Sequence, residues 1–190
     1  PMTDQPVRTE VRTEDGWVPF QVYFVWLHQQ PAVLEVRFSG VEDAVATPEV
    51  AAALEHAEAI VIGPSNPFVS VQPILAVAGV DAGLQTARTR GAPVVAVSGI
   101  VGGKALKGPA DRMLASLGHE PSALGVARLY TGIADVFVLD QQDAALEPAI
   151  ADLGLATVVT DTVMVDDAGR ARLAADVLAA AAAATPARPA

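Results

Sequence analysis

The chain has 190 residues, 52% hydrophobic and only 5% aromatic, with 12 lysines and arginines against 22 aspartates and glutamates. That is enough apolar sequence for one domain-sized core and too much for a disordered segment. The formal net charge of −10 excludes a broad phosphate-tracking surface, so a nucleic-acid partner is not expected, although small anions can still be held by local N–H groups and single cations.

Cysteine is absent, which excludes a disulfide scaffold and a cysteine-based zinc site. No apolar run reaches the roughly 20 residues of a membrane span, and no signal-peptide pattern opens the chain. A cytoplasmic protein with no membrane partner is expected. Pro1-Met2-Thr3-Asp4 reads like the interior of a longer chain.

Residues 7 to 18 alternate, with Val7, Thr9, Val11 and Thr13 on one face and a turn at Asp15-Gly16, which predicts a hairpin. Phe20, Tyr23, Phe24 and Leu27 fall at helical spacing, so a helix face is predicted there. Leu34 to Phe38 reads as a short strand, and Pro48 opens a helix running through His56. These first 45 residues are expected to form a small hairpin and helix insertion. From there to residue 184 the rhythm becomes strand, turn and helix.

Ala59 to Ile62, Val94 to Val97, Val136 to Leu139 and Thr157 to Thr160 read as strands. Helices are predicted from Pro109 to Gly118, from a Ser122 cap to Tyr130, from Asp143 to Leu153 with a break at Pro148, and from Arg170 to about Ala184. Residues 185 to 190 read as a loose tail. The alternation implies an α/β fold, a Rossmann-like parallel sheet with helices on both faces.

In such sheets ligands collect beyond the carboxyl ends of the strands. Three segments there carry candidate chemistry. Gly63-Pro64-Ser65-Asn66-Pro67 holds a hydroxyl and an amide between two prolines; it reads equally as a ligand loop or as a rigid turn with Ser65 or Asn66 capping local backbone.

Ser98 to Pro109 contains Gly102 and Gly103 with Lys104 and Lys107, the chain's only two lysines. Glycine N–H groups, a helix start near Pro109 and compact ammonium groups suit an anion. The other reading is a solvated loop. It is not a Walker loop, because Ser98 and Ala105 stand where that motif needs glycine and a hydroxyl residue.

Thr3 and Asp4 are the third candidate, at a strand end if an apolar strand precedes them; otherwise they are turn residues. Asp161-Thr162 follows a strand in the same way, and for Asp161 a helix-cap or turn role is the expectation. His28, His56 and His119 have no metal-ligand spacing, and neither a nucleophile elbow nor a dinucleotide fingerprint is present.

The stretches "IVIGPSNPFVSVQPILAVAGV" (residues 60 to 80) and "VVAVSGIVGGKALKGPADRML" (94 to 114) resemble the 2-phospho-L-lactate transferase family. So do "PMTDQPVRTEVRTEDGW" at the start and "LGLATVVTDTVM" near the end. The resemblance implies a Rossmann-like transferase that helps make a deazaflavin redox coenzyme. The donor would be a guanosine diphosphate adduct of lactate or enolpyruvate, the acceptor 7,8-didemethyl-8-hydroxy-5-deazariboflavin, and GMP the leaving group. Magnesium and a homodimer are implied as well.

On that resemblance Gly102, Gly103, Lys104 and Lys107 would meet the donor diphosphate, Ser65 and Asn66 a donor phosphate or the acceptor hydroxyl, and Thr3 and Asp4 the acceptor side. An alanine- and arginine-rich composition suits an actinobacterial, enolpyruvyl-type member.

Departures from the family pattern are Ser98-Gly99 in place of Ser-Pro, and Phe68 and Gln72 in place of smaller or β-branched residues. The family's glycine-rich opening segment and its metal-associated acidic residues have no counterpart here; were this chain the whole molecule, an exposed sheet edge would be expected. The alternatives are a non-catalytic nucleotide-sugar-binding regulator of the same fold, whose loop reads Gly-Pro-Gly-Ser-Leu where this chain has Gly63 to Pro67, and an inactive fragment.

Overall fold

The computed structural model describes residues 1 to 184, so the expected tail at 185 to 190 lies outside the described residues. The first hairpin forms as its alternation predicts: β1 (Arg8–Thr13) pairs antiparallel with β2 (Gly16–Pro19). The chain then enters a π-helical turn, Val22–Trp26, closed by the Leu27 N–H donating to the Val22 carbonyl five residues back. That wider winding changes the predicted helix face. Tyr23 alone is fully buried, while Phe24 is 37% and Trp26 79% exposed.

The Tyr23 hydroxyl reaches back to the Gln29 and Pro31 carbonyls, at 3.3 and 3.2 Å, and so closes the loop through His28 and Gln29. β3 (Glu35–Ser39) returns along the other side of β1, giving the sheet order β2-β1-β3.

α1 (Pro48–His56) begins where proline and a Thr47 cap place it, the Thr47 hydroxyl accepting from the Val50 N–H. β4 (Ile60–Ile62) leads into a second π-helical turn (Pro67–Val71), a short α2 (Gln72–Leu75) and α3 (Val80–Thr89). β5 (Val94–Val97) is followed by a two-stranded ribbon, β6 (Ile100–Val101) and β7 (Lys104–Ala105), then α4 (Ala110–Ser116).

α5 (Ala123–Tyr130) is capped as predicted by Ser122, whose hydroxyl accepts from Gly125 N–H. β8 (Val136–Asp140), a 3-10 turn (Gln141–Leu146), α6 (Glu147–Ala151), β9 (Ala156–Thr160) and α7 (Asp167–Ala184) complete the chain.

β4, β5, β8 and β9 form one parallel sheet in that spatial order. Both faces are covered, as the expected α/β fold requires, and the pleat divides the work. Val94, Ala96, Phe137 and Leu139 face the larger core, with Leu84 of α3, Met113 and Leu114 of α4, and Val126 and Tyr130 of α5. Val95, Val97, Val136 and Val138 face α7, which meets them with Leu173, Val177, Ala180 and Ala181. Small residues on α7 let the helix lie close to the sheet.

Strands buried on both faces read as continuous apolar runs, which is why β5 is Val-Val-Ala-Val. Val11, Tyr23 and Val33 join the larger core, so the antiparallel insertion packs directly on the main body. No helix among the described residues is long and apolar enough to cross a membrane.

Candidate functional site

All four strands of the parallel sheet point the same way, so the segments after β4, β5, β8 and β9 gather at one end. These are residues 63 to 66, 98 to 109, 141 to 146 and 161 to 166.

In the first segment the two side chains divide their roles. Asn66 caps the π-helical turn: its Oδ1 accepts from Phe68 N–H at 3.0 Å and Val69 N–H at 3.4 Å, and its Nδ2 points at Met113 Sδ. Ser65 is exposed, and among the described residues its hydroxyl has no hydrogen-bond partner. The capping alternative therefore describes Asn66, and the hydroxyl of Ser65 is left open to solvent.

The glycine loop is not irregular. Gly102 and Gly103, at φ +57° and +75°, make the two-residue turn of the β6–β7 ribbon, in which Val101 pairs with Lys104 and Ile100 with Ala105. Two consecutive left-handed residues are what a tight hairpin turn of this hand needs. The Gly102 N–H donates to Asp143 Oδ2 at 3.0 Å, so it is already engaged and does not stand open to an anion.

At the base of the ribbon Ser98 is buried; its hydroxyl donates to the Ile100 carbonyl and accepts from the Ile100 N–H. Gly99 lies against the Ser65 backbone: a Cβ there would stand 3.2 Å from the Ser65 carbonyl oxygen. The first two loops therefore touch.

Lys104 is 80% exposed and meets one partner, Asp111 of α4, at 3.5 Å. Lys107 is exposed in the bend before Pro109, with no partner among the described residues. α4 supports both loops, through Asp111 to Lys104 and through Met113 to Asn66. Its first turn already holds the Asp111 carboxylate, so the expectation that its positive end faces an incoming anion is revised.

Thr3 and Asp4 lie further out. Thr3 Oγ1 donates to Gln5 Oε1 at 2.6 Å, Asp4 is exposed, and the Met2 carbonyl accepts from Thr47 N–H. Met2 lines a cleft of about 730 Å³ along the free edge of β4, with Leu54, Ile62, Ser65, Ile74 and Met164. The cleft is almost wholly apolar and offers no charge to a diphosphate. It connects the N-terminal segment to Ser65 and leaves Lys104 outside.

Two buried carboxylates escaped the sequence reading. Asp140, 1% exposed at the end of β8, accepts from Gln142 N–H through Oδ1 and from the Thr162 N–H and hydroxyl through Oδ2. Asp143, 6% exposed, holds Gly102. Burial pushes the Asp143 carboxyl above the usual carboxylate range; the Gly102 N–H opposes this and the neighbouring Asp140 charge adds to it. The readable signal was an aspartate ending a central strand, with a second one three residues on. Asp161 is a turn residue, as one of its two plain readings expects: its Oδ1 accepts from the Val163 N–H two residues on, and it pairs with Arg172.

The sequence profile described as 2-phospho-L-lactate transferase CofD matches residues 1 to 180. The chain belongs to the 2-phospho-L-lactate transferase family. A 2-phospho-L-lactate transferase of Methanosarcina barkeri is 37% identical over 164 residues, 86% of this chain and 52% of that protein. One of Halobacterium salinarum is 40% identical over 174 residues, 92% of this chain and 48% of that protein. The chain thus spans about half the length of the curated relatives it matches. Among solved structures, a Bacillus halodurans protein superposes with a TM-score of 0.62 at 18% identity, covering 94% of this chain and 60% of that one, a likeness of fold.

The magnesium ion that the family resemblance implies finds no ligand set here. No group of three or more acidic or histidine side chains able to hold a metal occurs among the described residues. Asp140 and Asp143 already accept protein hydrogen bonds, Asp111 faces Lys104, and Asp161 faces Arg172. No catalytic step is derived through the ion.

Proposed function

We propose that this chain forms part of a transferase that moves a phospholactyl or phosphoenolpyruvyl group from a guanosine diphosphate adduct to 7,8-didemethyl-8-hydroxy-5-deazariboflavin. The acceptor's ribityl oxygen forms a bond to the phosphorus bearing the three-carbon acid. The bond from that phosphorus to GMP breaks, and the hydroxyl proton is released; no oxidation takes place. The protein's contribution to such a transfer is positioning and charge stabilisation.

One observation carries this reading. In a chain of net charge −10, Lys104 is held on a defined ribbon at the carboxyl end of the sheet with its side chain four-fifths exposed. In our reading Lys104 and Lys107 meet the donor diphosphate and Gly103 lets the chain approach it. The Ser65 hydroxyl meets a phosphate or acceptor oxygen, and Asn66 holds that loop in place. Thr3 and Asp4 flank the acceptor side.

A cytoplasmic homodimer belongs to the same reading, with magnesium carried in on the donor diphosphate rather than held by a carboxylate set among the described residues. The alanine- and arginine-rich composition favours the enolpyruvyl donor of an actinobacterial-type member. The test is a titration of the chain with the deazaflavin acceptor, followed by its fluorescence, with and without GDP and magnesium. Saturable acceptor binding, tightened by GDP and magnesium together, is the expected result. A folded chain that binds neither acceptor nor GDP would overturn the proposal for these residues.

A further inference from the structure

The β6–β7 ribbon has two residue pairs, too few to hold a shape unaided. Its base is fixed by Ser98 and its tip by a side chain 41 residues away, where Asp143 Oδ2 accepts the Gly102 N–H at 3.0 Å. Asp143 is itself held: the 3-10 turn that carries it is capped by Asp140, which is anchored to Thr162 after β9. Two buried carboxylates therefore tie together the loops that follow β5, β8 and β9.

We propose that Asp143 is a positioning residue for Lys104: by holding the turn at Gly102 it fixes the direction in which the next strand presents the lysine ammonium to an anionic ligand. This rests on the reading of Lys104 as a phosphate-binding cation. Charge and position make opposite forecasts here. As a charge, Asp143 repels an anion, and its removal would tighten binding. As a positioner it helps the anion bind, and its removal weakens binding. Burial beside Asp140 already costs the ionised carboxylate, so holding the turn is the function that offsets that cost.

The experiment is a calorimetric titration of the whole chain with GDP, paired with amide hydrogen exchange at Gly102, Gly103 and Lys104. The variants are Asp143→Ala, Asp143→Asn, Lys104→Ala and the Lys104→Ala/Asp143→Ala double. Asp143→Ala should weaken GDP binding about tenfold, the equivalent of one lost hydrogen bond, and speed exchange at the three amides. Asp143→Asn keeps an acceptor oxygen and should stay within about threefold of the parent. In the Lys104→Ala background the Asp143→Ala change should cost almost nothing more.

Tighter binding by Asp143→Ala, an equal loss in both lysine backgrounds, or unchanged exchange would each overturn the proposal. If Asp143→Ala does not fold, Asp143→Glu replaces it: the charge stays and the acceptor moves by one methylene, so weaker binding supports positioning and unchanged binding overturns it. If the parent chain binds no GDP, the phosphate reading of Lys104 fails by itself. Exchange at the ribbon amides then decides whether Asp143 sets the ribbon, with unchanged rates counting against it.

Discussion

Arg88 at the end of α3 grips Asp135 just before β8, with Nη2 at 2.6 Å and Nε at 3.1 Å from Asp135 Oδ1. The other carboxylate oxygen accepts the Val94 N–H at 2.8 Å, where β5 starts. This cluster closes the amino end of the sheet, opposite the candidate site. Arg88→Met should therefore destabilise the chain by about 1–2 kcal/mol, given the pair's partial exposure, and leave GDP affinity unchanged. Chemical denaturation beside calorimetry checks both halves.

The same cluster fixes a pH dependence. Burial acts to raise the Asp135 carboxyl, but Arg88 and the Val94 N–H together outweigh it and hold the group below its ordinary range. A lowered carboxylate stabilises the fold above its unfolded-state pKa, and that stability is lost as pH falls through the native value. The stability gap between the parent and Arg88→Met should be full at neutral pH and shrink as the solution is made acidic. A gap independent of pH would show that the pair contributes packing alone.

Asp143 carries the opposite sign. Its carboxyl is raised, by burial first and by Asp140 besides. Stability linked to it is greatest at low pH and falls as pH rises through the native pKa. Asp143→Asn has no proton to lose. It should gain on the parent as pH rises from acid to neutral, ending equal to or more stable than the parent in urea titrations at neutral pH. A parent that outperforms it at neutral pH by more than at acid pH would contradict this.

Much of the frame was legible because local signals set it. Thr47-Pro48 fixes the start of α1, Ser122 caps α5, and short valine-rich apolar runs mark β5 and β8. α3 went unread although Val80, Leu84 and Ala87 share a buried face; Gly79, Gly83, Thr86 and Thr89 dilute its helix propensity, and tertiary packing forms it anyway. The β6–β7 ribbon carries a hairpin signal, Gly102-Gly103 between Ile100-Val101 and Lys104-Ala105. Beside Lys104 and Lys107 the same two glycines also suit an anion loop or a solvated one, and the local sequence does not choose among the three. The Asp143 to Gly102 bond spans 41 residues and has no local signature at all.

Among the described residues β4 is paired to β5 alone, with Val61 47% exposed where its neighbour Val95 is fully buried. An open apolar edge invites pairing with another chain. Val61→Lys should lower concentration-dependent light scattering, at a stability cost within about 1 kcal/mol for so exposed a side chain. Unchanged scattering would locate the sticky surface elsewhere, with the exposed Trp26 segment next to test.

Lys104 and Lys107 should not be equivalent, although both are exposed and three residues apart. Lys104 sits in a ladder opposite Val101, with Asp111 competing for its ammonium, whereas Lys107 sits in a bend and meets no partner among the described residues. A fixed cation has less side-chain freedom to lose when it binds a phosphate. Lys104→Ala should therefore weaken GDP binding about tenfold or more, and Lys107→Ala by about threefold at most. Asp111→Ala should free the Lys104 ammonium and tighten binding modestly. All three effects should shrink with added salt, since both ammonium groups face solvent. Equal losses at the two lysines, with no response to Asp111→Ala, would reduce the pair to a diffuse positive field and remove Lys104 from its proposed role.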